Sequence, residues 1–165
     1  MTASHWIATF FMVGHMRPAP GSWGALAALP VAWALLELGG VPLFAAALLA
    51  ACLLGVWATE RETRGKADHD PSEIVIDEVV GQWVALLPVA LGAEVAGVSY
   101  LTLWPGWVAA FVLFRLFDIW KPGPIGWADR QPGALGVMLD DVLAGLLAAL
   151  GVVALAALAH GVMGA

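Results

Sequence analysis

Carboxylates are the residues in this chain whose types and spacing can do chemistry. Asp68, Asp70, Glu73, Asp77 and Glu78 fall close together, Asp118 stands alone further on, and Asp129, Asp140 and Asp141 complete the set. Any one pair is more often a helix cap or a solvated end than a site. Several brought to one place repel by about 4 kcal/mol per close pair at 4 Å and an effective dielectric of 20, so they spread out or hold a cation. All-oxygen ligands suit a hard divalent ion such as Mg²⁺, with waters or phosphate oxygens filling the octahedron. No His or Cys spacing points to zinc. Pro20-Gly21-Ser22-Trp23-Gly24 has the form of a glycine turn opening a helix, whose N–H groups suit an anion, although a Ser there is also an ordinary N-cap. His69, between Asp68 and Asp70, is open to reading as a general acid, a general base or a solvated side chain. Arg115 and Lys121 flank Asp118 and either bind phosphate or balance the acids. The single cysteine, Cys52, lies in an apolar run, which disfavours a thiol mechanism and excludes disulfides.

The elements that must carry these residues are membrane helices. Of 165 residues 61% are hydrophobic and 12% charged, and the mean hydropathy is +0.86, outside the range of a water-soluble domain. The expected fold class is all-α, a polytopic integral membrane helical bundle of about five membrane-embedded helices, formed by residues 1–165 as a single domain. Hydropathy places the spans at Ser22 to Leu38, Val41 to Ala58, Val79 to Val98, Leu101 to Phe117 and Val142 to Ala159. Gly39 and Gly40 separate the first two. No basic region precedes the apolar stretch Trp6 to Val13, which reads as mature chain, too short to span. A net charge of −6 without a basic stripe argues against a nucleic-acid partner. Oligomeric state is not readable.

Every Lys and Arg (Arg17, Arg61, Arg64, Lys66, Arg115, Lys121, Arg130) falls in the N-terminal segment, in the loops after the second and fourth spans or, for Arg115, at the loop end of the fourth span. Those segments share one side, which the positive-inside rule makes the cytoplasm. Most of the acids gather there too, so the polar loops form a cytoplasmic layer. Within it, Asp77 precedes Gly81 by one helical turn, and Asp141 precedes Gly145 in the same way. Each carboxylate thus shares a helix face with a gap left by a missing side chain. Either the two helices are parallel counterparts or two similar helix starts coincide.

In order and spacing, Pro20 to Gly24, Asp68 to Gly81, Asp118 to Ile125 and Gly136 to Gly145 resemble the phosphatidylglycerophosphatase A family. The resemblance runs from about Ala8 to Gly145. It implies a Mg²⁺-dependent lipid phosphatase of phospholipid biosynthesis, multi-pass in the bacterial inner membrane. The substrate it implies is phosphatidylglycerophosphate, cleaved to phosphatidylglycerol and inorganic phosphate on the cytoplasmic side. Carried over by motif, Asp77, Glu78, Asp118, Asp140 and Asp141 are expected to bind metal. Asp77, Glu78, Asp141 and His69 are expected to take catalytic roles, and Gly21, Ser22, Gly24, Asp70 and Lys121 to contact substrate. The family's first motif usually reads Pro-Gly-Thr-x-Gly-Ser; here Ser22 keeps the first hydroxyl and Ala25 lacks the second. A membrane ion transporter that uses the acids as its cation site is the rival reading.

Overall fold

The computed structural model describes residues 2–66 and 70–163. Helices and turns account for the regular structure, and no strand occurs among the described residues. The long helices are α2 (Pro20–Thr63), α3 (Ile76–Ala96), α4 (Trp104–Trp120) and α6 (Ala134–Met163); two short ones, α1 (Ala3–Ala8) and α5 (Pro124–Asp129), lie before α2 and between α4 and α6. Four helices are long and apolar enough to cross a membrane. The expected fifth arises because α2 is broken. Gly39 leaves helical geometry and Gly40 takes a positive φ of 62°, which a side chain would resist. Pro42 follows, where a missing N–H is least costly.

Contacts show what the break achieves. Gly24 meets Val75 at the start of α3, Trp83 donates from Nε1 to the Ala28 carbonyl at 2.9 Å, and Gly40 lies beside Glu94 and Tyr100 at the far end. Residues 20–38 therefore run alongside α3 in the same direction. Phe44 then meets the Trp83 ring at 5.7 Å between centroids, and Gly55 returns to Ile76. Residues 41–63 thus run back, and α2 is a helical hairpin. α4 is antiparallel to α3, with Gly106 against Val89 and Phe114 against Gly81.

The centre of the bundle is α3, buried along most of its length, while the other long helices expose Leu53, Val112, Leu150 and Leu158 outward. That inside-out pattern is expected where the solvent is lipid, because backbone groups are satisfied within each helix. Trp104 at one end of the bundle and Trp120 and Trp127 at the other are largely exposed, as interfacial anchors are. The apolar stretch near the N-terminus forms α1 and a turn against the end of α2, held by Ser4 donating from Oγ to Glu62 at 2.6 Å. In this arrangement Gly21, the end of α2, the starts of α3 and α6 and the end of α4 all lie at one end.

The helix limits correct one expectation. Asp140 and Asp141 precede the hydropathy span but not its helix: α6 begins at Ala134, so they sit well inside it. Asp77 and Glu78 likewise occupy the first turn of α3. Hydropathy locates the lipid-immersed part of a helix, whereas backbone hydrogen bonding carries the helix on through polar turns.

Candidate functional site

Three helices supply the carboxylates. In the first turn of α3, Asp77 and Glu78 stand where the helix dipole favours negative charge. Near the end of α4, Arg115 and Asp118 share a face, and Arg115 Nη1 lies 2.6 Å from Asp118 Oδ2 and 4.0 Å from Glu78 Oε1. α6 then contributes Asp140 and Asp141. Asp77, Asp118, Asp140 and Asp141 are all buried.

The carboxylates form two groups of three. Asp77, Glu78 and Asp141 can each present one oxygen within 4.8 Å of the other two, and so can Asp118, Asp140 and Asp141. Asp141 belongs to both. Adjacent helical residues point about 100° apart, which is why Asp140 joins the α4 side only. Asp77 Oδ1, Glu78 Oε2 and Asp141 Oδ2 are buried without a hydrogen-bond partner, as is Arg115 Nε. Buried oxygens gathered this closely and left unbonded are donors suited to a hard cation.

The two glycines explain how α3 and α6 come close enough. A Cβ on Gly145 would sit 2.3 Å from the Gly81 carbonyl oxygen, and one on Gly81 would sit 2.6 Å from the Asp141 carbonyl oxygen. The helices pass backbone to backbone, and the repeated Asp and Gly spacing is a pair of parallel counterparts meeting at that crossing. Gly21 has a similar use, since a Cβ there would lie 1.9 Å from Glu78 Oε1. The structure thus gives Gly21 and Gly24 close packing against α3 and Val75. The Ser22 and Trp23 N–H groups, expected to face an anion, both donate to the Ala19 carbonyl.

Lys121 ends α4 in a left-handed conformation, φ 49°, and Pro122 prevents the helix from continuing. Its ammonium donates to Asp140 Oδ2 at 2.6 Å and also to Asp129. Burial disfavours its charge, but these hydrogen bonds and the two carboxylate charges outweigh that and raise its pKa above the ordinary lysine value. Asp70 is exposed in the segment before α3 and belongs to neither group of three. Asp68 and His69 lie outside the described residues. Arg115, undecided in the sequence between phosphate binding and charge balance, is drawn in among the acids. Its spacing of three from Asp118 on one helix is the signal for that.

Fold and site together define a polytopic helical membrane protein with a buried acidic cluster at one end of its bundle. The phosphatidylglycerophosphatase A family model matches residues 6–156, and the chain belongs to that family. It is 38% identical to the phosphatidylglycerophosphatase A of Haemophilus influenzae over 92% of this chain and 87% of that protein. For the Escherichia coli K12 phosphatidylglycerophosphatase A the identity is 35%, over 88% of this chain and 78% of that one. A Bacteroides thetaiotaomicron relative provisionally named a phosphatidylinositol-3-phosphatase is 38% identical over 85% of each chain. No solved structure matches the chain.

Proposed function

We propose that this chain hydrolyses phosphatidylglycerophosphate to phosphatidylglycerol and inorganic phosphate in phospholipid biosynthesis, at the cytoplasmic face of a bacterial inner membrane. Its cofactor is Mg²⁺, held by Asp77, Glu78, Asp118, Asp140 and Asp141. The observation that carries this reading is the pair of carboxylate groups sharing Asp141, with three buried oxygens left unbonded. Family membership supports the substrate class.

When bound, Mg²⁺ supplies charge neutralisation at the phosphomonoester oxygens and orients water. The chain's own residues do the rest. Arg115, anchored by Asp118 and with Nε unbonded, donates to a phosphoryl oxygen. Lys121 holds Asp140 and adds positive charge at the rim. A cluster carboxylate or His69 takes the proton from the attacking water. As the water oxygen bonds to phosphorus, the bond from phosphorus to the glycerol oxygen breaks, and that oxygen leaves as a hydroxyl after taking up a proton.

A transporter reading is less well supported. Transport sites lie near the midplane and open to both sides, whereas these acids lie at one end, with buried Leu36, Phe44, Trp83 and Leu86 lying toward the other. The test is phosphate release by purified protein from phosphatidylglycerophosphate, phosphatidic acid and phosphatidylinositol 3-phosphate, with Mg²⁺ and with EDTA. Release from the first, at least about tenfold faster than from the others and abolished by EDTA, is expected. Faster release from phosphatidylinositol 3-phosphate would reassign the substrate, and none from any lipid would refute the phosphatase reading.

A further inference from the structure

Gln82 is fully buried in α3, and neither its Nε2 nor its Oε1 has a hydrogen-bond partner. An amide left unmade in an apolar bundle is destabilising, and a leucine or methionine would fill the same space without that cost. The neighbouring Trp83 shows that α3 can satisfy a buried polar group, because its indole reaches the Ala28 carbonyl. Folding alone gives Gln82 no purpose.

Its direction supplies one. Helical side chains lean toward the N-terminus of their helix, so Gln82 covers the turn that carries Glu78. Residues four apart have Cβ atoms about 5–6 Å from each other. In that turn Glu78 Oε2 is buried and unbonded, and Arg115 Nε, from α4, is unbonded as well. Gly21 forms the facing wall: its missing side chain leaves the room that Glu78 Oε1 and Arg115 Nη1 occupy. Ala25, one turn further along α2, is fully buried and adds only a methyl group. A carboxylate oxygen and a guanidinium N–H thus stand at the turn of α3 toward which the Gln82 amide, with both donor and acceptor capacity, leans. They are complementary in type yet not bonded to one another, which is the arrangement a bridging water joins.

We propose that Gln82 is a positioning residue whose amide, through a bridging water, holds the Glu78 carboxylate in the orientation that binds the cation. This rests on the reading of Glu78 as a cation ligand. Outer partners of metal ligands act in this way, and losing one typically costs about 10–100-fold in metal affinity or activity.

The experiment uses the full chain in detergent with Gln82→Leu and Gln82→Met. Thermal unfolding is followed in EDTA and across a Mg²⁺ titration, together with steady-state phosphate release. Both variants are expected to unfold in EDTA at the wild-type temperature or above it. Their Mg²⁺ midpoints should rise at least about tenfold, with kcat lowered and KM for the lipid unchanged. Wild-type Mg²⁺ midpoints in both variants would overturn the role of Gln82 and leave the cation site standing. Lower unfolding temperatures in EDTA for both would make Gln82 a packing residue and overturn it too. A wild-type chain that shows no Mg²⁺-induced shift removes the cation reading itself, and the role of Gln82 with it.

Discussion

Asp141→Asn is the perturbation with the most to say, because Asp141 is the carboxylate common to both groups of three. Asparagine keeps the size and one oxygen and removes the charge. Without a cation, two ionised carboxylates at the 4.8 Å limit of these groups repel by roughly 3.5 kcal/mol at an effective dielectric of 20. Oxygens closer than that limit repel more, whereas incomplete ionisation of the group lowers the sum. Relief of even about 1 kcal/mol raises the unfolding temperature by about 2–4 °C in a chain of this size. Asp141→Asn should therefore be more stable than wild type in EDTA. Its metal affinity moves the other way. Removing an outer partner of a ligand costs about 10–100-fold, so removing a shared ligand should cost at least about 100-fold, or roughly 2.8 kcal/mol. The assays are unfolding of the purified protein in EDTA, the Mg²⁺ midpoint of the thermal shift, and phosphate release. An unchanged Mg²⁺ midpoint, or a lower unfolding temperature in EDTA, would refute the reasoning.

Gly145→Ala should destabilise the bundle by about 1–3 kcal/mol, because its Cβ would meet the Gly81 carbonyl at 2.3 Å and the helices must part; an unchanged unfolding temperature would contradict the close crossing. Lys121 has a pKa raised above the ordinary lysine value, so the stability it contributes is present below the unfolded-state pKa of about 10.4 and is lost only above that pH. Phosphate release by the wild type should then show no alkaline limb from Lys121 below about pH 10, whereas Lys121→Ala should lower release at every pH; a decline near pH 8 that Lys121→Ala abolishes would reverse this. Cys52→Ser should keep phosphate release within about tenfold, roughly 1.4 kcal/mol, and a larger loss would revive a thiol mechanism. Cysteines placed at Lys66 and Arg130 should resist an impermeant thiol reagent applied to intact cells, and labelling from outside would invert the topology.

Much of this protein is legible in one dimension. Hydropathy is a local property summed along the chain, so the apolar spans, the break at Gly39 and Gly40 and the membrane class follow from the sequence alone. Charge placement is also local, and it puts Arg115, Lys121 and the acids at one end of the bundle before any packing is known. The spacing of Asp77 with Gly81 and of Asp141 with Gly145 marks two faces. It cannot say that they meet. That depends on helix rotation and depth, which backbone contact at the two glycines fixes. Only the tertiary structure decides that Asp141 is shared, that Asp140 joins Asp118 and that Arg115 turns in among the acids. The same holds for His5 and His15, unrelated in sequence, whose Nε2 atoms come within 3.1 Å beside Glu62. Gln82 is the extreme case: nothing in its sequence context separates it from a neutral helix former, and it becomes informative only once burial shows that the fold itself leaves its amide unbonded.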